Sequence, residues 1–162
     1  AGAADAEAIA RVHVHSWQTT YKGLVPDLFL ADLSVERRTM QWREALAQQQ
    51  TNYLFVAETE TEGTVGFVAS GPEREGRRGY SGEIYAIYLL EQSQGQGIGR
   101  MLFETAMLDL KKRGHDSMLI WVLSGNPASG FYERMGGVFI AEKDIEIGGA
   151  VLQEMAYGWS KL

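Results

Sequence analysis

The chain has 162 residues with a hydrophobic fraction of 45% and a charged fraction of 22%, as in soluble globular proteins, and it is long enough to bury roughly 70% of its unfolded surface in one domain. Its formal net charge of −6 argues against a nucleic-acid partner, because proteins that bind phosphate backbones normally carry a basic excess. The absence of cysteine excludes disulfides, a thiolate nucleophile and cysteine metal ligands, and the absence of a leader or of an apolar run near 20 residues predicts a cytoplasmic protein without a membrane partner.

The N-terminal part of the chain has a helical pattern. Apolar and aromatic side chains recur at helical spacing in the first segment: Ile9, Val12, Trp17 and Tyr21. Asp5 is a candidate cap for this helix, and Pro26 suits the first turn of a short second helix. Ser34 is placed to cap a third helix over residues 35–49. We expect these amphipathic helices to pack on a sheet.

A run of strands follows the helices. Apolar stretches predict strands at residues 53–59, 63–71 and 82–90, and the short turn-prone links between them indicate an antiparallel meander. From Gly97 the apolar spacing becomes helical and continues to the basic residues 111–113, which predicts a long helix.

The C-terminal part adds a further strand, a short helix and a hairpin. Because a strand at 116–125 follows the long helix, strands 82–90 and 116–125 should form a parallel, right-handed crossover. A short helix is expected over 127–136, and a closing hairpin should turn at Gly148-Gly149. The pattern predicts one α/β (α+β) domain with a mixed, mostly antiparallel, twisted sheet flanked by helices.

Three glycines, Gly95, Gly97 and Gly99, alternate in the loop between the third predicted strand and the long helix. A helix N-terminus exposes unpaired N–H groups, and glycine lets an anion approach them, so this loop is a candidate anion cradle. It lacks the lysine of a P-loop and the glycine spacing of the dinucleotide fingerprint. The glycine spacing by itself leaves a plain turn and an anion site equally open.

Two motifs together resemble the GCN5-related N-acetyltransferase (GNAT) superfamily. Residues 94–99, "QGQGIG", resemble its Q/R-x-x-G-x-G/A signature, and residues 126–137, "NPASGFYERMGG", resemble its Asn-containing loop and "FYE+xG" helix. The stretches "SWQTTYKGLVPD" and "EMAYGW" resemble its small-amine and phosphinothricin-type branch. The resemblance implies one N-acetyltransferase domain over residues 1–162, with an acetyl-CoA motif at 83–113 and a second motif at 116–136. It also implies a first strand ahead of Asp5 that is shortened, missing or outside this sequence.

The resemblance implies that acetyl-CoA lies where strands 82–90 and 116–124 splay apart. Its pyrophosphate would lie on the loop N–H groups, and its pantetheine amides would pair with the strand end like an added strand. The implied cofactor residues are Leu89, Leu90, Glu91, Gln94, Gly95, Gln96, Gly97, Ile98, Gly99, Arg100 and Asn126. Two of them keep an alternative reading: Arg100 as a surface arginine and Asn126 as a turn and cap.

The resemblance also nominates two residues for the chemistry. An amine must lose a proton before it attacks the thioester, and Glu83 matches the glutamate base of histone-acetylating members of the family, where it could act directly or through water. Tyr132 matches the tyrosine that donates a proton or hydrogen bond to the departing thiolate. The alternatives are a solvated strand-end glutamate and a core tyrosine. A backbone N–H near Leu89 could stabilise the oxyanion.

The acceptor is the least defined part of the prediction. Aromatic side chains that could line an amine pocket, or only pack in the core, are Trp17, Tyr21, Tyr85, Tyr88 and Trp121. His13, His15 and His115 form no recognisable ligand set, so no metal is predicted. We predict direct acetyl transfer from acetyl-CoA to a primary amine, with a small molecule as acceptor. No acetyl-enzyme is expected, because no cysteine is present to carry the acetyl group. A non-catalytic acyl-CoA-binding or regulatory domain and a protein or peptide N-acetyltransferase are the alternatives, and a homodimer is implied by resemblance alone.

Overall fold

The computed structural model describes residues 1–48, 51–76 and 79–162. The α-helices are α1 (Ala6–Thr20), α2 (Asp27–Ala31), α3 (Val35–Ala47), α4 (Ile98–Lys112) and α5 (Ser129–Arg134). The strands are β1 (Tyr53–Thr59), β2 (Gly63–Pro72), β3 (Gly82–Leu89), β4 (Met118–Leu123), β5 (Val138–Ile147) and β6 (Ala150–Trp159). Every predicted helix and strand is present. Gln49, at the end of the predicted third helix, and Arg77 and Arg78, in the link before β3, lie outside the described residues.

The six strands form one sheet in the order β1-β2-β3-β4-β6-β5. Neighbouring strands are antiparallel except β3 and β4, which are parallel and joined by α4. The predicted mixed, mostly antiparallel α+β fold with one parallel pair is therefore confirmed. The closing hairpin turns at Gly148 and Gly149, both at positive φ, as predicted. Its second strand, β6, and not its first, lies beside β4.

The helices cover opposite faces of this sheet. Phe67 and Ala69 of β2 belong to one buried cluster with Ile9 and Val12 of α1. Val68, between them, points the other way and belongs to a second cluster with residues of α4. Side chains alternate across a strand, so α1 and α4 must lie on different sides of the sheet.

The parallel pair is short. β3 and β4 are in register only at three pairs, Gly82↔Met118, Glu83↔Leu119 and Ile84↔Ile120. Beyond Ile84 and Ile120 the two strands diverge, which is the splay that the resemblance implied. The β2–β3 register also shifts between Ala69 and Ser70, a bulge opposite the start of the divergence.

Of the two predicted helix caps, one forms a hydrogen bond to its helix and the other does not. Ser34 caps α3 as predicted, because its Oγ accepts a hydrogen bond from Arg37 N at 3.2 Å. Asp5 occupies the cap position of α1, but its carboxylate accepts from Gly2 N at 2.7 Å and makes no bond to the helix. Residues 3–5 form a single 3-10 turn and no strand. No helix within the described residues has the length and apolarity required to cross a bilayer.

Candidate active site

A cleft of about 650 Å³ opens where β3 and β4 diverge. It extends from the last turn of α1, through the gap between the strands, to the first turn of α4 and to α5. The predicted site residues that line it are Tyr21, Tyr85, Tyr88, Leu89, Glu91, Gln94, Gly95, Gly97, Gly99, Arg100, Trp121, Asn126 and Tyr132. The cleft thus brings the two sequence motifs together. Predicted residues outside its lining are Trp17, Glu83, Leu90, Gln96 and Ile98.

The glycine loop ends in a left-handed backbone that exposes N–H groups. Gly95 and Gly97 have φ of +74° and +83°, which favours glycine, and no atom lies within 4 Å of a Cβ built on either residue. The first hydrogen bond into α4 is donated by Met101 N to Gly97 O at 3.1 Å. As at any helix start, the earlier N–H groups, of residues 98–100, must find partners outside the helix. The loop therefore has the geometry and the open space of an anion cradle.

The side chains of this loop are engaged with the chain itself. Gln94 Nε2 donates to Leu89 O at 3.3 Å, and Gln96 Nε2 donates to Gln92 O at 3.2 Å. Arg100 lines the cleft, yet its guanidinium forms an exposed ion pair with Glu104 at 2.8 Å, so both readings of Arg100 apply in part. The backbone is thus the main donor that this loop offers to an anion.

Tyr132 lies on α5, and its surroundings agree with both interpretations, a core tyrosine and a residue of the cleft. It is 4% exposed and packs with Phe103, Phe131 and Tyr157, as a core tyrosine does. It also lines the cleft. Burial raises the pKa of its phenol far above the ordinary value, so the hydroxyl keeps its proton at neutral pH. A proton donor is therefore available at the α5 side of the cleft.

Asn126 is a turn residue that also joins two elements. Its Oδ1 accepts from Ala128 N at 2.9 Å, which is the turn-and-cap reading. Its Nδ2 donates to the Tyr21 hydroxyl at 3.2 Å, across the cleft. The bond fixes the end of α1 relative to the loop before α5.

Glu83 does not line the cleft, contrary to what a direct base requires. It is 2% exposed, and its two carboxylate oxygens accept three hydrogen bonds from Arg74, from NH2 at 2.6 Å and from Nε and backbone N at 3.2 Å. Arg74 in turn lies 4.3 Å from the centre of the Tyr85 ring, which does line the cleft.

Tyr21, Tyr85 and Trp121 form an aromatic wall of the cleft on the α1 side of the sheet, and charged side chains lie against it. The Lys143 ammonium lies 4.1 Å from the centre of the Trp121 ring. It pairs with Glu75 and, more loosely at 3.9 Å, with Glu154. Burial raises the pKa of Glu154, and Lys143 opposes this shift. Trp121 therefore carries a cation of its own chain, as Tyr85 does.

Trp17 and His13 pack within the fold. Trp17 contacts Tyr21 edge to face at 4.7 Å, outside the cleft lining. His13 stacks on Tyr88 at 5.0 Å and accepts a hydrogen bond from Trp42 through Nδ1. Within residues 1–48, 51–76 and 79–162, no group of three or more His, Asp or Glu side chains is placed to hold a metal ion. That no metal is used remains a prediction.

Several lining residues were not predicted from the sequence. They include Ser16, Thr19, Thr20, Phe131 and Arg134. The hydroxyl residues occupy positions i, i+3 and i+4 of α1, a spacing that puts them on one face and that the sequence displays. Arg134 is the basic position of the second motif, and it adds an exposed positive charge to the cleft.

This chain is similar to proteins of known sequence and structure. Residues 14–137 match the model of the acetyltransferase (GNAT) family. YuaI of Bacillus subtilis (strain 168), an uncharacterized N-acetyltransferase, is 39% identical over 158 residues, which are 98% of this chain and 89% of YuaI. The ribosomal-protein-alanine N-acetyltransferase from Brucella melitensis superposes with a TM-score of 0.75 at 24% identity, covering 98% of this chain and 96% of that one. Salmonella typhimurium yncA, solved with its cofactor acetyl-CoA, superposes with a TM-score of 0.72 at 20% identity, covering 98% and 90% of the two chains.

Proposed function

The chain belongs to the acetyltransferase (GNAT) family and is an N-acetyltransferase, and from this premise we propose that it acetylates the primary amine of a small molecule by direct attack on acetyl-CoA. One observation carries the proposal. A single cleft joins the glycine loop at the start of α4 to Tyr132 and to an aromatic wall on the other side of the sheet. A donor and an acceptor bound at its two ends would meet between β3 and β4.

The residues of the glycine loop fit the phosphates of acetyl-CoA. A Cβ at Gly95 or Gly97 would project into open space, which leaves room for phosphate oxygens beside the N–H groups of the first turn of α4. Acetyl-CoA supplies a thioester whose carbonyl carbon accepts the amine and whose thiolate leaves. We propose that Arg134 adds charge to the phosphate end and that the exposed edge of Leu89 to Glu91 holds the pantetheine amides. Leu89 O already accepts from Gln94 Nε2 and has a second lone pair for that pairing.

Tyr132 is proposed as the acid. Its phenol stays protonated because burial raises its pKa, so it can donate to the departing sulfur. The reaction consumes one neutral amine and one thioester and yields one amide and one thiol. The proton that the amine loses in bond formation balances the proton that the thiol gains.

Glu83 is proposed as a positioning residue. Its carboxylate holds Arg74, and Arg74 covers the ring of Tyr85, whose hydroxyl donates to Pro72 O at 2.6 Å. Burial raises the pKa of Tyr85 to about 12, so this donor also persists at neutral pH. Glu83 would therefore affect the reaction indirectly, by fixing the position of Tyr85 through Arg74. Water in the cleft would accept the proton of the acceptor's ammonium group.

A small acceptor is proposed because the acceptor end is walled. The aromatic wall of Tyr21, Tyr85 and Trp121 closes this end, and the Arg74–Glu83 and Lys143–Glu75 ion pairs lie behind it. A peptide would need an open groove with backbone donors. The cytoplasmic location and the homodimer remain predictions.

The direct test measures thiol release from acetyl-CoA with amino acids, polyamines, simple amines and peptides as acceptors. We expect release coupled to acetylation of small amines, above the rate without acceptor. Turnover with peptides alone would contradict the small-molecule acceptor. Binding of acetyl-CoA without thiol release for any amine would favour a non-catalytic acyl-CoA-binding domain.

A further inference from the structure

Ser16, in the last turn of α1, is a buried polar side chain that none of the contacts described above uses. It is 2% exposed and lines the cleft. Its Oγ is fully buried and has no hydrogen-bond partner among the residues that the structure describes. Native proteins rarely leave a buried hydroxyl unpaired, because the group loses its water without gaining a bond. An unpaired hydroxyl beside a cleft therefore indicates a ligand group as its partner.

Thr19 shows that the local backbone could have satisfied such a hydroxyl. Its Oγ1, one turn further along the same helix and in the same cleft, donates to His15 O at 3.1 Å and approaches Ser16 O at 3.2 Å. Serine and threonine in helices commonly bond back to a carbonyl in this way. Two hydroxyls in one turn thus differ: Thr19 is used internally, and Ser16 is not.

The position of Ser16 assigns it to the acceptor. α1 lies on the sheet face opposite α4, whose first turn forms the phosphate cradle. The donor therefore enters from the α4 side and the acceptor from the α1 side. Ser16 has one rotatable side-chain bond, so its Oγ can turn to the cleft when a polar group arrives.

We propose that the Ser16 hydroxyl forms a hydrogen bond with a neutral polar group of the acceptor, a hydroxyl or an amide, that lies close to its amine. This inference rests on the proposed function. A serine hydroxyl both donates and accepts, so it pairs with either group. The charges nearest the aromatic wall are already paired within the chain, Arg74 with Glu83 and Lys143 with Glu75. A neutral polar acceptor fits this wall better than one with a second charge.

The test compares Ser16→Ala with the unaltered enzyme on matched acceptors, such as 2-aminoethanol and propylamine, in which a hydroxyl replaces a methyl group. The unaltered enzyme should prefer the hydroxylated member. Ser16→Ala should lower kcat/KM for that member roughly three- to tenfold, the effect of one lost hydrogen bond, and leave propylamine unchanged. Thr39→Val is the control, because Thr39 Oγ1 in α3 donates to Val35 O at 2.8 Å and the residue does not line the cleft, and it should keep the original ratio.

Stability gives an independent readout. Ser16→Ala removes an unpaired buried hydroxyl and inserts a better helix former, so the melting temperature should rise by about 2–4 °C. A lower melting temperature would show that the hydroxyl has a partner within the fold and would overturn the inference. So would an unchanged acceptor ratio in an active Ser16→Ala enzyme. If the unaltered enzyme binds acetyl-CoA but acetylates no amine, the proposed function fails and this inference with it.

Discussion

Tyr132 is the residue for which the structure gives the clearest chemical state. Its phenol is buried and keeps its proton, while the side chain still lines the cleft. Tyr132→Phe keeps the ring packing and removes the proton donor. We expect kcat to fall roughly 100-fold, with the Kd of acetyl-CoA within about twofold of the original value.

Tyr157→Phe is the matched control for Tyr132→Phe. Tyr157 is also buried, and its ring centre lies 6.3 Å from that of Tyr132, but its hydroxyl donates to Glu133 and the residue does not line the cleft. Steady-state kinetics and calorimetric binding should show no change in kcat for this variant. An unchanged kcat in Tyr132→Phe would remove Tyr132 from the acid role.

Glu83 is expected to matter for stability more than for proton transfer. Glu83→Gln weakens the hydrogen bonds between Arg74 and the buried side chain at position 83. The Arg74 guanidinium stays hydrated in this variant because its side chain is 59% exposed. The free energy of unfolding should fall by about 1–2 kcal/mol. The acid limb of kcat/KM against pH, which reports loss of the acceptor proton, should persist.

Arg74→Gln provides the comparison for Glu83→Gln. If the two residues act as one pair, the double variant should lose little more stability than either single variant. Loss of the acid limb in Glu83→Gln alone would restore Glu83 as the base. Chemical denaturation and pH–rate profiles separate the two outcomes.

At the residue scale, the sequence predicted positions that depend on local geometry. Gly95 and Gly97 were predicted in the cradle because glycine has no Cβ to obstruct an anion, and in the structure both have positive φ and open space at the Cβ position. The Arg74–Glu83 pair was not predicted, since Arg74 lies on a loop whose path depends on tertiary packing. The unpaired state of Ser16 was equally hidden, because it depends on what the neighbouring elements do not supply.

At the scale of elements, α1 and α3 are joined by a buried imidazole. His13 Nδ1 accepts from Trp42 Nε1 at 3.1 Å, and burial, with a smaller effect of Arg38, lowers the pKa of His13 to about 3. In the unfolded chain the pKa is near 6.5. Between those values the unfolded chain binds a proton that the folded chain does not, so stability must fall as pH falls below about 6.5.

The expected loss from His13 between pH 7 and pH 5 is about 2 kcal/mol. His13→Gln keeps an acceptor for Trp42 and removes the titration. Urea unfolding at pH 5, 6 and 7 should therefore show a smaller decrease in the variant than in the original protein, by about that amount. An equal decrease in the free energy of unfolding for the two proteins would mean that His13 takes up its proton in the folded chain as it does in the unfolded chain.

Strand positions were predictable and strand neighbours were less so. The apolar stretch 53–59, bounded by turn-prone residues, predicted the bounds that β1 has in the structure. The sequence predicted the β5–β6 hairpin but not which strand would lie beside β4, since either order buries a similar face. The bulge beside Tyr85 also lacks a local signal, because it depends on pairing with β2.

At the scale of the whole molecule, the proposed arrangement has the sheet separating the two substrates. The fold places the start of α4 on one face and the end of α1 on the other, and the divergence of β3 from β4 is the passage between them. The net charge of −6 indicates that overall attraction does not bring an anionic cofactor to this protein. The account therefore depends on the backbone cradle at the N-terminus of α4.

Calorimetric titration of acetyl-CoA into Gly97→Ala and Gly114→Ala tests that dependence most directly. Gly97 lies at the N-terminal end of α4 and Gly114 at its C-terminal end, with φ of +83° and +91° and open space at both Cβ positions. Each alanine should cost about 1–2 kcal/mol of stability through backbone strain. Only Gly97→Ala places a methyl group in the cradle, so it alone should weaken acetyl-CoA binding, by about tenfold or more. Equal affinities in the two variants would contradict the account.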